Sequence, residues 1–214
     1  MQGKEKLTFQ LQLKMMSDWL IKGASEQKIA HASPLLDGQN RPYIPASTIK
    51  GNLRYHAKRL LAMTTIGKHY ETFLFGESGA KQGNLYVEDC MLEGKPFAST
   101  VLRHRISINR RRKVVNDEAL IVEEAAAKGL TLSGKMVCYV KEEEKAPVIA
   151  LVSLALMQMN FLGSGKSVGR GYQTMDYKKD GRDDSYFAVI AEDREIPYEE
   201  WRQIVLPYIK GGQS

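Results

Sequence analysis

The stretch KLTFQLQLK at residues 6–14 alternates without exception. Leu7, Phe9, Leu11 and Leu13 fall on one side, and Thr8, Gln10, Gln12 and Lys14 on the other. Successive side chains of a strand point to opposite faces, so this is a half-buried strand whose apolar side needs a cover. Two segments can supply one. ASTIKGNLRYHAKRLLAMTT carries Ile49, Leu53, Leu60 and Met63 at helical spacing, with Ala57 completing the stripe. Ser47 or Thr48, just after Pro45, can cap that helix. APVIALVSLALMQMNFL is apolar on most sides and predicts a buried helix.

Further strands are expected at 85–90, at 120–124, at 132–140 after a turn at Lys128-Gly129, and over the alternating YQTMDYKK. Phe73, Leu74 and Phe75 form a short apolar stretch, and IPYEEWRQIVLPYI predicts a short amphipathic helix from Pro197. The order is strand, loop, helix, strands, helix, glycine loop, strand. It predicts an α+β fold with a split β-α-β, ferredoxin-like core, two helices lying on one face of an antiparallel sheet. Residues 23–45 lack periodicity and read as a long loop, and long loops inside compact domains are usually functional.

The chain has 214 residues, enough for one domain with a substantial core. Its longest apolar run, VIALVSLALM, is too short to span a bilayer, and the charged start MQGKEKLTF gives no expectation of a signal peptide. Cys90 and Cys138 lie far apart with no Cys or His at metal spacing. A reduced, cytoplasmic protein without a structural metal is therefore expected. The net charge is +6, and the run RHRISINRRRK at residues 103–113 holds six Lys/Arg and no acid, so the remainder is close to neutral. Ile106 and Ile108 alternate within that run and point to a strand or hairpin arm. Charge concentrated on a projecting arm favours nucleic acid over a merely solvated loop.

The first helix adds a second basic feature. Lys50, Arg54 and Lys58 stand four apart and share a face, which suits either a helix tracking phosphates or a solvated surface. Gly51 costs that helix about 1 kcal/mol relative to alanine. It permits close approach near a helix N-terminus, where free N–H groups favour anions.

GSGKSVGRGY at residues 163–172 invites comparison with a nucleotide-binding P-loop. Such a loop is G-x-x-x-x-G-K-[ST] between a strand and the helix it opens. Here the first glycine position is Asn160, a long helix precedes the loop and a strand follows it. The loop sits at a helix C-terminus, where carbonyls and the negative dipole end dominate, which argues against a triphosphate site. Gly163 can cap the preceding helix. The other glycines permit close approach, and Lys166 and Arg170 suit a phosphate chain. The plainer alternative is a helix-to-strand loop that needs positive φ.

Four stretches together resemble the RAMP superfamily of CRISPR-associated proteins, and within it the backbone subunit of type III-like effector complexes. RPYIPASTIKGNLR is similar to the family's P-x-I-P-x-S-S-x-K-G motif. LFGESGAKQGNLYVEDC is similar to its F-G turn and following strand. RISINRRRKVVNDEALIVEEAAAKGLTLSGKM is similar to its hairpin arm and the strand after it, and LGSGKSVGRGY to its glycine-rich loop. The four occur in family order over roughly residues 5–177.

The resemblance implies a modified ferredoxin-like (RRM-like) domain with a β-hairpin thumb and inserted loops. It would be a single domain over 1–214, with the thumb about 100–118 and a C-terminal helical extension about 185–214. Copies would line up along a guide CRISPR RNA and present it to target RNA or DNA, together with other effector subunits and no membrane. Ser47, Thr48, Lys50 and Arg54 would grip the guide backbone, and Lys58, on the same basic face of the helix, is a further RNA-binding candidate. Arg103, Arg105, Arg110, Arg111, Arg112 and Lys113 would act in the thumb, and Lys166 and Arg170 in the glycine loop. Such binding needs phosphate contacts and shape rather than base readout, with base pairing left to read the target.

Cleaving members carry an aspartate in a D-x-P setting before the P-x-I-P motif. This chain has Ala32-Ser33-Pro34, so Ala32 takes that position. His31 and Asp37 are the nearest candidates for catalysis, His31 as a base that titrates near neutrality and Asp37 otherwise as turn chemistry. A binding subunit with no cofactor is favoured, and Mg²⁺ is implied only if the chain cuts target RNA. A third alternative is a metal-independent precursor-processing endonuclease using His31, His56 or His104, and a capping subunit of the same complexes is a fourth.

Overall fold

The computed structural model describes residues 3–23, 32–77, 79, 81–94, 100–109, 111, 114–178 and 184–209. In chain order the elements are β1 (Glu5–Lys14), α1 (Ala46–Leu61), α2 (His69–Phe75), β2 (Gly76–Glu77), β3 (Lys81–Gln82), β4 (Leu85–Val87) and β5 (Met91–Leu92). There follow β6 (Thr100–Asn109), β7 (Val114–Ala126), β8 (Thr131–Val140), α3 (Glu142–Met157), β9 (Met175–Tyr177), β10 (Ser185–Ala191), β11 (Arg194–Glu195) and α4 (Tyr198–Ile209).

The alternation of β1 decides the architecture. Leu7, Phe9 and Leu13 are fully buried and Gln10 is exposed, as the period of two requires. β1 lies at the centre of a mixed sheet ordered β11-β10-β1-β8-β4, with β5 on β8 and β9 parallel to β10. Phe9 pairs with Met136 on one side and Val189 on the other, so one face is apolar across three strands. α1 and α3 pack together over the core, and α4 packs on α3. The fold is α+β, with a mixed sheet and four helices.

The buried stripe of α1 is Ile49, Leu53, Ala57 and Leu61, spaced by four. Leu61 takes the place expected for Leu60, and Met63, beyond the helix end, is 72% exposed. No Ser or Thr caps this helix. Pro45 occupies the N-cap position, and the Ala46 N–H donates to Asp89 Oδ1 at 2.7 Å.

α3 begins earlier than its apolar run. Glu144 Oε2 accepts from the Lys141 N–H at 2.9 Å, and three glutamates sit at the positive end of the dipole. The helix ends at Met157 with Gln158 as its C-cap, so Gly163 is not the cap expected of it. α4 is keyed to α3 by the Trp201 Nε1–H, which donates to Ser153 Oγ at 3.0 Å.

Several expectations shift. Phe73–Phe75 is the last turn of α2, and of the strand expected at 85–90 only Leu85–Val87 forms, with β5 following at Met91–Leu92. The strand at 120–124 is part of the longer β7, and of YQTMDYKK only Met175–Tyr177 is strand. Residues 185–191 are not helical extension. They form β10, hydrogen-bonded along β1, and helix begins only at Tyr198. Residues 103–109 of the basic run lie in β6, which pairs antiparallel with β7 in a separate two-stranded sheet and sets Arg103 opposite Glu123.

Cys90 and Cys138 are buried free thiols, each pushed up to about 12 chiefly by desolvation. No helix among the described residues is long and apolar enough to cross a membrane.

Candidate nucleic-acid interface

The first three turns of α1 meet the glycine loop across a groove of about 770 Å³. The α1 wall presents Ser47, Thr48, Gly51, Asn52, Tyr55 and His56, which recur at helical spacing. The opposite wall comprises residues 20–22 together with Gln158, Asn160, Phe161, Gly163, Ser164 and Lys166. A methyl group on Gly51 would meet nothing within 4 Å, so that part of the helix N-terminal turn lies open.

The glycines serve the protein's own close packing. Gly163 has φ +88°, and a Cβ there would stand 2.6 Å from the Leu20 carbonyl. Ser164 donates to the same carbonyl through its N–H at 2.8 Å and its hydroxyl at 3.0 Å. The Gly171 N–H donates to the Asp18 carbonyl at 2.9 Å. The loop is thus stitched to the segment leaving β1. Lys166 begins one 3-10 turn, Lys166–Val168, and its Nζ reaches across the groove to donate to Asn52 Oδ1 at 2.8 Å. This is not a P-loop, because no α-helix opens from it.

His56 is half-buried against this bridge. Desolvation first, then the charges of Lys166 and Arg59, lower its pKa from the ordinary 6.5 and keep the ring neutral at neutral pH. Lys22 stands at the other edge, exposed, with Nζ 3.6 Å from Glu123 Oε1.

Of the residues picked from sequence, Ser47, Thr48 and Lys166 come together in the groove. Lys50, Arg54 and Lys58 share another face, as their spacing requires. Lys50 Nζ donates to the Leu85 carbonyl at 2.9 Å, and Arg54 bonds Glu71 and the Gly76 carbonyl, each at 3.2 Å. Both tie α1 to the α2–β4 side, while Lys58 is exposed.

Arg170 is buried, with Nη1 2.5 Å from Glu123 Oε2 on β7. Arg103 pairs with Asp18 at the hairpin base, and Arg111 is exposed. His31, Arg110, Arg112 and Lys113 lie outside the described residues, as does the side chain of Arg105.

Asp37 closes a tight turn. Desolvation works to raise its pKa, but hydrogen bonds from Arg41 backbone and side chain and from the Gln39 amide prevail and hold it below its ordinary value. Ala32 is buried with Leu20 and Ala125 beneath the hairpin. Among the described residues no group of three His, Cys, Asp or Glu could hold a metal ion.

Sequence inspection missed Lys22, Asn52, Tyr55 and Asn160, and it treated His56 only as a nuclease candidate. A local signal did exist, since residues 48, 52 and 56, like 47, 51 and 55, are spaced by four. Which face of α1 meets the loop is not a local property.

No curated protein sequence matches the chain. Among solved structures, it is similar to a chain of the cryo-EM structure of the Type III-B Cmr-beta bound to cognate target RNA, with TM-score 0.60 and 20% identity. The alignment covers 78% of this chain and 58% of that one, so this chain spans little more than half the length of that relative. At this identity the likeness speaks for the fold. The profile of the RAMP superfamily matches residues 12–173, three quarters of the sequence and the part that contains α1, the hairpin and the glycine loop. The chain belongs to the RAMP superfamily.

Proposed function

We propose that this protein is a guide-RNA-binding backbone subunit of a type III-like CRISPR effector complex. Copies line up along the guide and, with other subunits, present it to target nucleic acid. The observation that carries this is the groove, where the N-terminal turn of α1 and Lys166, more than a hundred residues apart, form one cationic wall-to-wall site. The ammonium of Lys166 and the hydroxyl-bearing Ser47 and Thr48 together suit a phosphate chain, which every RNA sequence shares. The sequence of the β6–β7 hairpin concentrates basic residues, and the similar Cmr-beta structure contains target RNA.

The domain is ferredoxin-like on this reading. The strand order β10-β1-β8-β4, antiparallel throughout with α1 and α3 packed over it, supports that assignment. Such a protein works in the cytoplasm, where guide and target meet.

Fluorescence anisotropy with labelled single-stranded RNA tests the proposal. Binding should weaken linearly in log–log salt, with a slope of about −0.7 per phosphate contacted. Lys166→Ala should reduce both affinity and slope, and size-exclusion should show several copies per long RNA. A protein that stays monomeric and shows no salt-dependent RNA affinity overturns the proposal.

A second reading has one observation behind it. His56 is held neutral beside Lys166, an arrangement able to accept a proton from a ribose 2′-hydroxyl without metal. Incubating the protein alone with precursor RNA in EDTA tests it. Intact RNA rules it out, while specific cutting that His56→Ala abolishes favours it over the binding role.

A further inference from the structure

We infer that Tyr55 is a base-stacking residue, and that the groove holds an unpaired nucleotide with its phosphate toward Lys166 and its base on the Tyr55 ring. This rests on the nucleic-acid reading and adds to it a platform for the base, which phosphate contacts alone do not supply.

Tyr55 is 58% exposed at the rim of the groove and belongs to no core cluster. A lone exposed tyrosine means little, but this ring is held in place. The His56 ring meets it edge-on at 5.1 Å and 83°. The Arg59 guanidinium lies 5.6 Å from its centroid, and Arg59 Nη1 donates to its hydroxyl at 3.4 Å. A ring fixed before binding loses little entropy on binding, which is what a stacking platform needs.

The rest of the groove fits the same ligand. Its lining carries Lys22 and Lys166 and no carboxylate, so the favoured occupant is anionic. A second aromatic ring, Phe161, lines it and leans on Tyr172 at 5.2 Å. The volume of about 770 Å³ is ample for one nucleotide. Cations that take phosphates beside aromatic rings that take bases are the pattern of single-strand recognition, tolerant of sequence because every base has a π face. A duplex would not expose the base face that Tyr55 requires.

The test uses the full chain and a single-stranded oligoribonucleotide carrying one 5-iodouridine. Ultraviolet irradiation should crosslink the base to Tyr55, located by peptide mapping. Tyr55→Ala should lose that crosslink and about tenfold in affinity, while Tyr55→Phe keeps the affinity of the parent. If the oligonucleotide binds but crosslinks elsewhere, and Tyr55→Ala binds as tightly as the parent, the inference is overturned and the nucleic-acid reading stands. If the parent chain does not bind the oligonucleotide at all, both fall.

Discussion

At the scale of single residues, the most informative pair is Arg170 and Glu123. Sequence presented Arg170 as a cation in a flexible loop, free to meet RNA. In the fold its guanidinium is buried and paired with a carboxylate 47 positions away. Removing Glu123 strands the buried Arg170 guanidinium, so Glu123→Gln should cost about 3–5 kcal/mol in urea unfolding, and Arg170→Met less, because Lys22 remains 3.6 Å from Glu123 Oε1. The double variant Glu123→Leu/Arg170→Met should recover much of that loss, because the desolvation cost of both charges goes with them.

His56 makes a pH prediction. Its folded pKa lies below the ordinary 6.5, so on acidification the unfolded chain takes up this proton before the folded chain does. Stability should therefore fall as pH drops from 7.5 through about 6.5, and His56→Gln should flatten that limb of the curve, read by thermal unfolding across pH.

At the scale of elements, glycines that look alike do different work. Gly51 lies within α1, and a methyl group there meets open space. Gly51→Ala should raise stability by about 1 kcal/mol in chemical unfolding. The added methyl projects into the groove, so the same variant should weaken RNA binding. Gly171 has φ +68°, and a Cβ would fall 1.8 Å from the Leu162 carbonyl. Gly171→Ala should therefore destabilise the loop severely, detected as a lower melting temperature and early protease cleavage near residue 171.

The elements were unevenly legible. β1, α1, the hairpin and α4 announce themselves by period, because alternation and fourfold spacing are short-range properties. β10 did not. SYFAVIA is a short apolar run whose burial on both sides erases alternation, so it was absorbed into an expected helical extension. α2 was reduced to three apolar residues because its first turn, beginning at His69, is polar.

At the scale of the whole molecule, β1 organises everything else. It bonds β8 and β10, and the side chains of Leu7, Phe9 and Leu13 have no exposure. Phe9→Ala should cost about 3–5 kcal/mol, the usual result of emptying a close-packed core site, measured by urea unfolding. Because the groove wall is α1, packed on that core, the same variant should lose RNA affinity only as the folded fraction falls.

Sequence by itself determined the fold class, the hairpin that carries the basic run, the failure of the glycine loop as a P-loop and the membership that four ordered motifs pointed to. Those follow from local periodicity and local motif grammar, which the chain writes directly. Tertiary structure alone decided which cations line the groove and which hold the fold. Lys166 turns to Asn52 across the groove, Arg170 turns to Glu123, and the first N–H of α1 is met by Asp89 rather than by a serine or threonine. Each of those pairings spans more than forty residues, and a charge carries no local mark of the distant partner that will claim it.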